Sequence, residues 1–521
     1  MIGLGISGYA PQVSEETTIT APLTIRLHPA DNVVVARMDI LPGTKIEGEV
    51  AAATRVPPGH KILTRAIRKG EPLRKYNQII GFATEDLAPG AHIHTHNCVM
   101  GDFERDYAFC ADAHPTDYIT PPATFMGYRR ADGRAATRNY VGIVTTVNCS
   151  AATSRMIAAK LEPLLAQYPN IDGVVPLTHG GGCGMAASGL EMDVLRRTLA
   201  GYTKHPNMAA VVVLGLGCET NQIAGLMNAE GLKEGPRLIP MAIQDEGGVA
   251  KTVGRAVDFL KDVLPEANDV KREPLPASEL ILALQCGGSD GYSGISANPA
   301  LGAAVDLLVR NGGTAVLSET PEIYGAEHLL TRRAVSKQVG EKIVERIRWW
   351  EEHCARTGGE MNNNPSPGNK AGGLTTIVEK SLGAVAKGGT TNLVDVYKYA
   401  ELITAKGFVY MDSPGYDPVS ATGQVAGGAN VLCFTTGRGS VFGCKPTPSL
   451  KLATNTSLYR RMTEDMDINC GSIVDGEETI QESGRRIFDL ILATASGQKT
   501  KSEALGIGDD EFEPWKIGAT M

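Results

Sequence analysis

Apolar and polar positions alternate on two different rhythms along this chain. Residues 21–98 hold short apolar pieces broken by turn signals: Leu41-Pro42-Gly43, Pro57-Pro58-Gly59, Arg68-Lys69-Gly70 and Ala88-Pro89-Gly90. That spacing predicts a small all-β module. Residues 1–20 read as a loose tail, and 99–125, acidic and proline-bearing without a period, as a linker. From Gly127 the rhythm lengthens. Apolar runs at Ile143–Val147, Val174–Leu177 and Val211–Leu214 alternate with helical stretches at Ser150–Leu165, Leu190–Leu199 and Gly247–Leu264. Runs of Val, Ile and Leu read as strands buried on both faces, and strand–helix alternation as βαβ units of a parallel sheet. The polar break Lys271–Pro276 closes a central domain, 126–275. A second α/β region, 276–521, carries strands at Glu279–Gln285, Gly313–Ser318, Leu393–Val396, Phe408–Met411 and Val431–Thr435. A long helix is expected over Val335–His353, stopped before Thr357-Gly358-Gly359, and a loop over Met361–Gly373. The fold class expected is therefore α/β multidomain, a small all-β module followed by two α/β regions with mostly parallel sheets.

Bulk composition narrows the function classes. A length of 521 residues predicts two to four domains. The net charge of -8 argues against nonspecific nucleic-acid binding, and three Trp offer no base-stacking surface. No apolar stretch approaches the roughly 20 residues of a membrane helix. Met1–Thr20 lacks the basic and apolar regions of a signal peptide, so a cytoplasmic protein with reduced thiols is expected. Ten cysteines then point to metal or catalytic use before disulfides.

Four of those cysteines share a setting. Cys149, Cys183, Cys218 and Cys286 each follow an apolar run, in a turn of glycines or small polar residues. Ligands of open parallel sheets bind beyond the carboxyl ends of the strands. Four thiols converging on one such rim would suit iron or an iron–sulfur cluster; small buried hydrophobes are the plainer alternative. His179 precedes Gly180-Gly181-Gly182-Cys183, where it would ligate metal, move a proton, or simply bond a loop carbonyl. His92, His94 and His96 alternate at the strand period and would share one face. Three polar, glycine-rich loops, Cys286–Gly294, Asn364–Gly373 and Phe434–Ser440, describe a pocket for a small oxygen-rich anion, with Arg438 suited to clamp a carboxylate bidentately. None is a Walker loop or a dinucleotide fingerprint.

These motifs, in this order, resemble the altronate/galactarate dehydratases over nearly the whole chain. The β module is similar to that family's SAF (β-clip) domain through His28-Pro29-Ala30-Asp31-Asn32 and Gly59-His60-Lys61. The central block matches through Gly127–Gly133, Gly215-Leu216-Gly217-Cys218-Glu219 and Asn221-Gln222, and the C-terminal block through Cys286–Pro299, Asn364–Gly373 and Thr435–Gly439. The resemblance implies loss of water from a sugar acid such as D-altronate, giving a 2-keto-3-deoxy acid. Galactarate is an alternative substrate, and sulfolactate sulfo-lyase or non-catalytic sugar-acid binding are alternative activities. It implies a divalent metal, Fe2+ first, with a cluster possible in chemistry, held by Cys149, Cys183, Cys218 and Cys286. Mg2+ or Ca2+ would instead favour Asp290, Glu319 and Asn298. Lys370 or His179 is the expected base, Arg438 the clamp, and His28 and His60 residues of a closing lid. Ser289, Asp290, Asn298, Asn369, Thr436 and Gly437 are the expected substrate contacts, and a homodimer the expected assembly.

Overall fold

The computed structural model describes residues 22–518, so the tail expected at 1–20 lies outside the described residues. The N-terminal module is all β. Thr24–Ile25, Val33–Ala36, Lys61–Leu63 and His92–Ile93 form one antiparallel sheet; Pro72–Lys75, Gln78–Ala83 and Cys98–Val99 form another. The Pro-Gly turns do what their sequence requires: Gly43, Gly59 and Gly90 all take left-handed φ, open to glycine at little cost. The module is not a free appendage. Leu63, Leu73 and Ile80 share one buried cluster with Leu301, Val305 and Ile377 of the C-terminal region.

The central region is entered and left through a paired ribbon. Thr124–Arg129 runs antiparallel to Glu273–Pro276, so the last residues of the expected linker and the expected polar break are both strand. Between them lies a four-stranded parallel sheet in the order Gly173–Leu177, Tyr140–Thr145, Met208–Gly215, Leu238–Ala242. The helices Ala151–Leu161 and Val249–Asn268 pack on one face. The helix Leu190–Thr203 covers the other and meets Asp417–Ala426 of the next region, so the two α/β regions share a core.

The C-terminal region is a seven-stranded sheet, parallel throughout: Leu393–Tyr397, Gly407–Met411, Thr314–Leu317, Ile281–Cys286, Val431–Thr436, Ser449–Ala453, Ile468–Asn469. Its strands are buried along nearly their full length, as unbroken apolar runs demand when helices cover both faces. The long helix runs Lys337–Thr357, capped by the Ser336 side chain and ended by Gly358 in the left-handed region. The stretch expected as a loop contains a short helix, Pro367–Ala371, opened by a Ser366–Asn369 capping box.

Candidate active site

Strand order locates the site. Ile281–Cys286 is the first strand of its sheet in sequence yet sits in the middle. The chain leaves it toward Thr314–Leu317 on one side and later returns to Val431–Thr436 on the other. That reversal is a topological switch point, where the loops beyond the carboxyl ends part and leave a crevice. A cavity of about 440 Å³ opens there, a size suited to a small molecule, lined by Cys286, Gly287, Glu322, Asn364, Asn369, Lys380 and Asp417 among others.

The floor of the crevice is a buried ionic cluster. Cys286 ends its strand and accepts a hydrogen bond from Lys387 Nζ at 2.9 Å, while its Sγ–H donates to Glu322 Oε2 at 3.4 Å. Lys380 pairs with Glu322 and donates to Asn364 Oδ1 at 3.0 Å. Asn364 Nδ2 donates to Glu322 Oε1 at 3.0 Å. Both lysines come from one segment: the helix Ile377–Val385, capped by Thr376, carries Lys380 in its first turn, and Lys387 follows two turns on. Glu319 holds φ 74, a strained conformation for a residue with a Cβ. Its carboxylate is fully buried and neither oxygen has a hydrogen-bond partner. One oxygen from each of Glu319 and Glu322 lies within 4.8 Å of the other and of Cys286 Sγ. Asp417, first residue of its helix, closes over Gly287, where any Cβ would collide with its carboxylate.

Environment splits these acids. Burial would raise Glu322, but the Lys380 and Lys387 ammoniums outweigh it and hold the carboxylate ionised. Burial, and then the charge of Glu322, push Glu319 well above the usual carboxylate range. Burial with the same charge brings Asp417 up to about 7. Cys286 is pushed up to about 12 by burial despite the ammonium of Lys387 beside it.

The residues singled out from sequence fall into three places. Cys286 and Asn369 line the cavity. Asn369 Nδ2 donates to the Ser289 carbonyl at 2.9 Å and so ties two of the expected loops together. Asp290, Asn298, Thr436 and Gly437 pin the walls instead. Asp290 is saturated by donors from Thr454, Ser293, Asn455 and the Tyr292 backbone. Asn298 bonds Thr435 and the Gly383 carbonyl. Thr436 Oγ1 accepts from the Gly439 N–H, and Gly437 leaves room for the Asp290 carboxylate. Arg438 is exposed, with its backbone N–H bonded to Gly288 O at 2.8 Å. The β module docks on the Asn364–Gly373 loop. His60 Nε2 lies 3.3 Å from the Ala371 carbonyl and His94 Nε2 2.8 Å from that of Lys370, so Lys370 anchors the module through its backbone. The strand ends at Ile93, so His92, His94 and His96 do not line one strand face; instead His92 and His94 pack against His60, and His96 against His92. His28 sits in an exposed turn and accepts from the Ala30 N–H. The four thiols do not converge. Cys149, Cys183 and Cys218 sit on the central sheet, and Cys286 ends a strand of the other. His179 is spent on backbone: Nε2 faces the Thr145 carbonyl at 3.0 Å and Nδ1 accepts from the Gly181 N–H at 3.1 Å.

Glu322, Lys380, Lys387 and Asp417 were missed as site residues. For the two lysines a signal was available: charges inside an otherwise apolar helical run, Ile377–Gly388, are buried only when paired or put to use; Glu322 and Asp417 lie outside that run and carried none.

Comparison with known proteins agrees with this architecture. The altronate/galactarate dehydratase SAF domain matches residues 22–101, the D-galactarate dehydratase/altronate hydrolase second domain 127–268, and the D-galactarate/altronate dehydratase C-terminal domain 277–520. The chain is thus an enzyme of the hydro-lyase class. It belongs to the D-galactarate/altronate dehydratase family. It is 35% identical to altronate dehydratase of Bacillus subtilis over 95% of this chain and 99% of the relative. It is 37% identical to galactarate dehydratase (L-threo-forming) of Escherichia coli over 93% and 95%. It is also 34% identical to the (2R)-sulfolactate sulfo-lyase subunit beta of Chromohalobacter salexigens over 74% and 95%. No helix among the described residues is long and apolar enough to cross a membrane.

Proposed function

We propose that the switch-point cavity dehydrates a sugar acid of the altronate or galactarate type to a 2-keto-3-deoxy acid. The observation that carries this reading is Glu319, a fully buried carboxylate with two unpartnered oxygens beside Cys286 and Glu322. Such a group is costly unless a cation completes it. Cys286, Glu319 and Glu322 fit a divalent metal, and a thiolate among carboxylates suits Fe2+ better than Mg2+. Bound there, the metal supplies positive charge for the enediolate that forms when the weakly acidic α-proton leaves.

The remaining chemistry falls to the chain's own side chains. Lys380, kept charged by Glu322, faces the cavity and orients the substrate carboxylate with Asn364. Asp417, at about 7, takes the α-proton and returns a proton to the departing β-hydroxyl, which leaves as water. The enol that remains tautomerises to the 2-keto acid. Trp350, which lines the cavity and is fixed by its indole N–H to Asp412 at 2.8 Å, helps exclude water. On the family resemblance we also expect a homodimer in the cytoplasm, where ten free thiols are stable, acting on a small molecule and not on nucleic acid. Light scattering checks the first point. The activity is tested by assaying altronate and galactarate for a 2-keto-3-deoxy product with wild-type protein and Glu319→Gln. Product from the wild type alone supports the reading. Equal turnover by the variant would remove Glu319 from the chemistry.

A further inference from the structure

The central sheet carries basic side chains at its other end. At the amino ends of Met208–Gly215 and Leu238–Ala242, a crevice of about 270 Å³ is lined by Arg130, Arg134, Lys204 and Arg237. It adjoins a second cavity, of about 450 Å³, through Arg134, Lys204 and Pro206, and that cavity reaches Arg197 and the C-terminal region. Neither shares a lining residue with the switch-point cavity. Arg130 and Asp132 belong to the Gly127–Gly133 block, which takes no part in the catalytic cavity.

Arg130 is buried, 9% exposed, and no carboxylate pairs with it among the described residues. Its Nε donates to Pro206 O at 2.6 Å and its Nη2 to Arg138 O at 3.1 Å. Carbonyls satisfy donors but do not neutralise a charge. Burial, and then the charge of Arg237, bring Arg130 down to about 10, so the guanidinium is still ionised at neutral pH. A buried cation without a counter-charge is costly until an anion completes it. Its neighbours do not supply one. Across the two cavities Arg130, Arg134, Arg197, Lys204 and Arg237 face the carboxylates of Asp132 and Glu230 alone. Asp132 is taken by Arg134 Nε at 2.8 Å. Arg134 Nη2 and Arg197 Nε are fixed on the Lys204 and Tyr399 carbonyls at 2.7 and 2.8 Å, so these cations lose little rotamer freedom when an anion arrives.

The second cavity offers a different surface. Ala200 and Gly201 of the helix Leu190–Thr203 line it together with Ala400, Leu402 and Ala426 of the C-terminal region. Leu402 is 62% exposed, and Ala400 holds φ 59, a strained conformation for a residue with a Cβ. An apolar wall beside a basic crevice suits a molecule with one anionic end and a neutral body.

We propose that the two cavities form one binding site for a small phosphomonoester, with its phosphate against Arg130, Arg237 and Lys204 and its organic part on the wall of Ala400 and Leu402. Guanidinium groups match phosphate oxygens bidentately, and a phosphate near two negative charges answers the excess of cations better than a single carboxylate does. The site joins the two α/β regions and does not depend on the dehydratase reading.

Isothermal titration calorimetry of the full-length protein with inorganic phosphate, glucose 6-phosphate and adenosine monophosphate tests this. One ester should bind saturably and about tenfold or more tighter than inorganic phosphate, and the ester that does so identifies the organic part. Arg130→Gln should weaken that ester about tenfold or more, the scale of a lost charged hydrogen bond. Arg237→Gln, at a partly exposed position, should weaken it about threefold. Lys45→Gln, the same change of charge in the β module, and Glu319→Gln, in the switch-point cavity, should leave the affinity unchanged. Saturable binding of neither ester, esters no tighter than inorganic phosphate, or equal weakening by Lys45→Gln and Arg237→Gln would overturn the site. Arg237→Gln carries this comparison even where Arg130→Gln fails to fold.

Discussion

The two α/β regions both end their parallel strands in loops that carry reactive side chains, and furnish those loops in opposite ways. The central rim carries exposed thiols on loops fixed by backbone hydrogen bonds. The C-terminal crevice carries Glu319, Glu322, Lys380 and Lys387, all nearly inaccessible. The difference is one of solvent. Charges facing water interact weakly, whereas charges in a dry cavity act strongly on one another and on a substrate. A cluster so costly to bury is retained where charge develops during reaction; exposed thiols need no such seal. The C-terminal segment joins the two: Phe512 packs against His179 at 6.3 Å, and Trp515 stacks on Trp350, a wall of the cavity, at 5.4 Å.

Replacing Glu319 is the sharpest way to break the contrast. Glu319→Gln should lower turnover by about 1000-fold, the scale of a lost transition-state electrostatic contact. The metal-free variant should at the same time melt higher than the metal-free wild type. The sign follows from linkage: a carboxyl raised above its ordinary 4.5 holds its proton in the fold, so its contribution is full below that value and is lost as pH rises. Calorimetry across pH checks this, and an unchanged melting profile would show that the burial is harmless. Glu379 tests a buried charge with a purely structural task. It bridges Lys61 at 2.9 Å and Lys75 at 3.1 Å where the β module meets the C-terminal region, and although burial opposes ionisation the two ammoniums bring it down to about 2. Glu379→Ala strands both ammoniums and should cost about 3–5 kcal/mol in denaturant unfolding. Loss of activity without loss of stability would place Glu379 in the chemistry.

The sequence made the layering legible because strand, helix and turn signals are local. The all-β module and the Val- and Leu-rich strands were found within a few residues, and the long helix, expected over Val335–His353, runs four residues further, to Thr357 before Gly358. What it hid was register and long-range pairing. Cys286 looks like the other three strand-end cysteines until topology places it in a different sheet. Lys380 and Lys387 look like surface charges of a short helix, and only the switch point of a seven-stranded sheet gathers them around Glu322 and Cys286. Asp290 and Arg438 looked like ligands because polar loops suggest pockets, yet Asp290 spends its oxygens holding Thr454 and Asn455 in place. His179 was read both ways, and the plainer reading, a ring bonded to a loop carbonyl, describes it.

Asp417 sharpens the catalytic half of the comparison at smaller cost. With its carboxyl at about 7, kcat/KM should rise with pH through that value as the base ionises. Asp417→Asn should lower kcat/KM about 100-fold and flatten this limb. A retained inflection near the same pH would assign the base elsewhere.

The smallest effect concerns the docked module. Burial first, and then neighbouring positive groups including His94 and Lys61, lower His60 to about 4 and His92 to about 3, with the bond to the Ala371 carbonyl and, less, Glu379 opposing at His60. A folded value below the ordinary 6.5 means that their contribution is present above pH 6.5 and is lost as pH falls toward 4. Both rings are partly open to solvent, so screening should leave less than about 1 kcal/mol between pH 6.5 and 5. The loss should be local, since the His60–His92 contact at 3.0 Å, in which one ring nitrogen must accept, is what acid breaks, while the hydrogen bonds that His60 and His94 donate to the Ala371 and Lys370 carbonyls survive protonation. Hydrogen exchange at residues 58–63 and 92–97 should therefore quicken at pH 5, while the helix Val249–Asn268, whose buried cluster contains no histidine, keeps its rate. Equal acceleration in both regions would mean that acid loosens the whole molecule and not the seam between module and cavity.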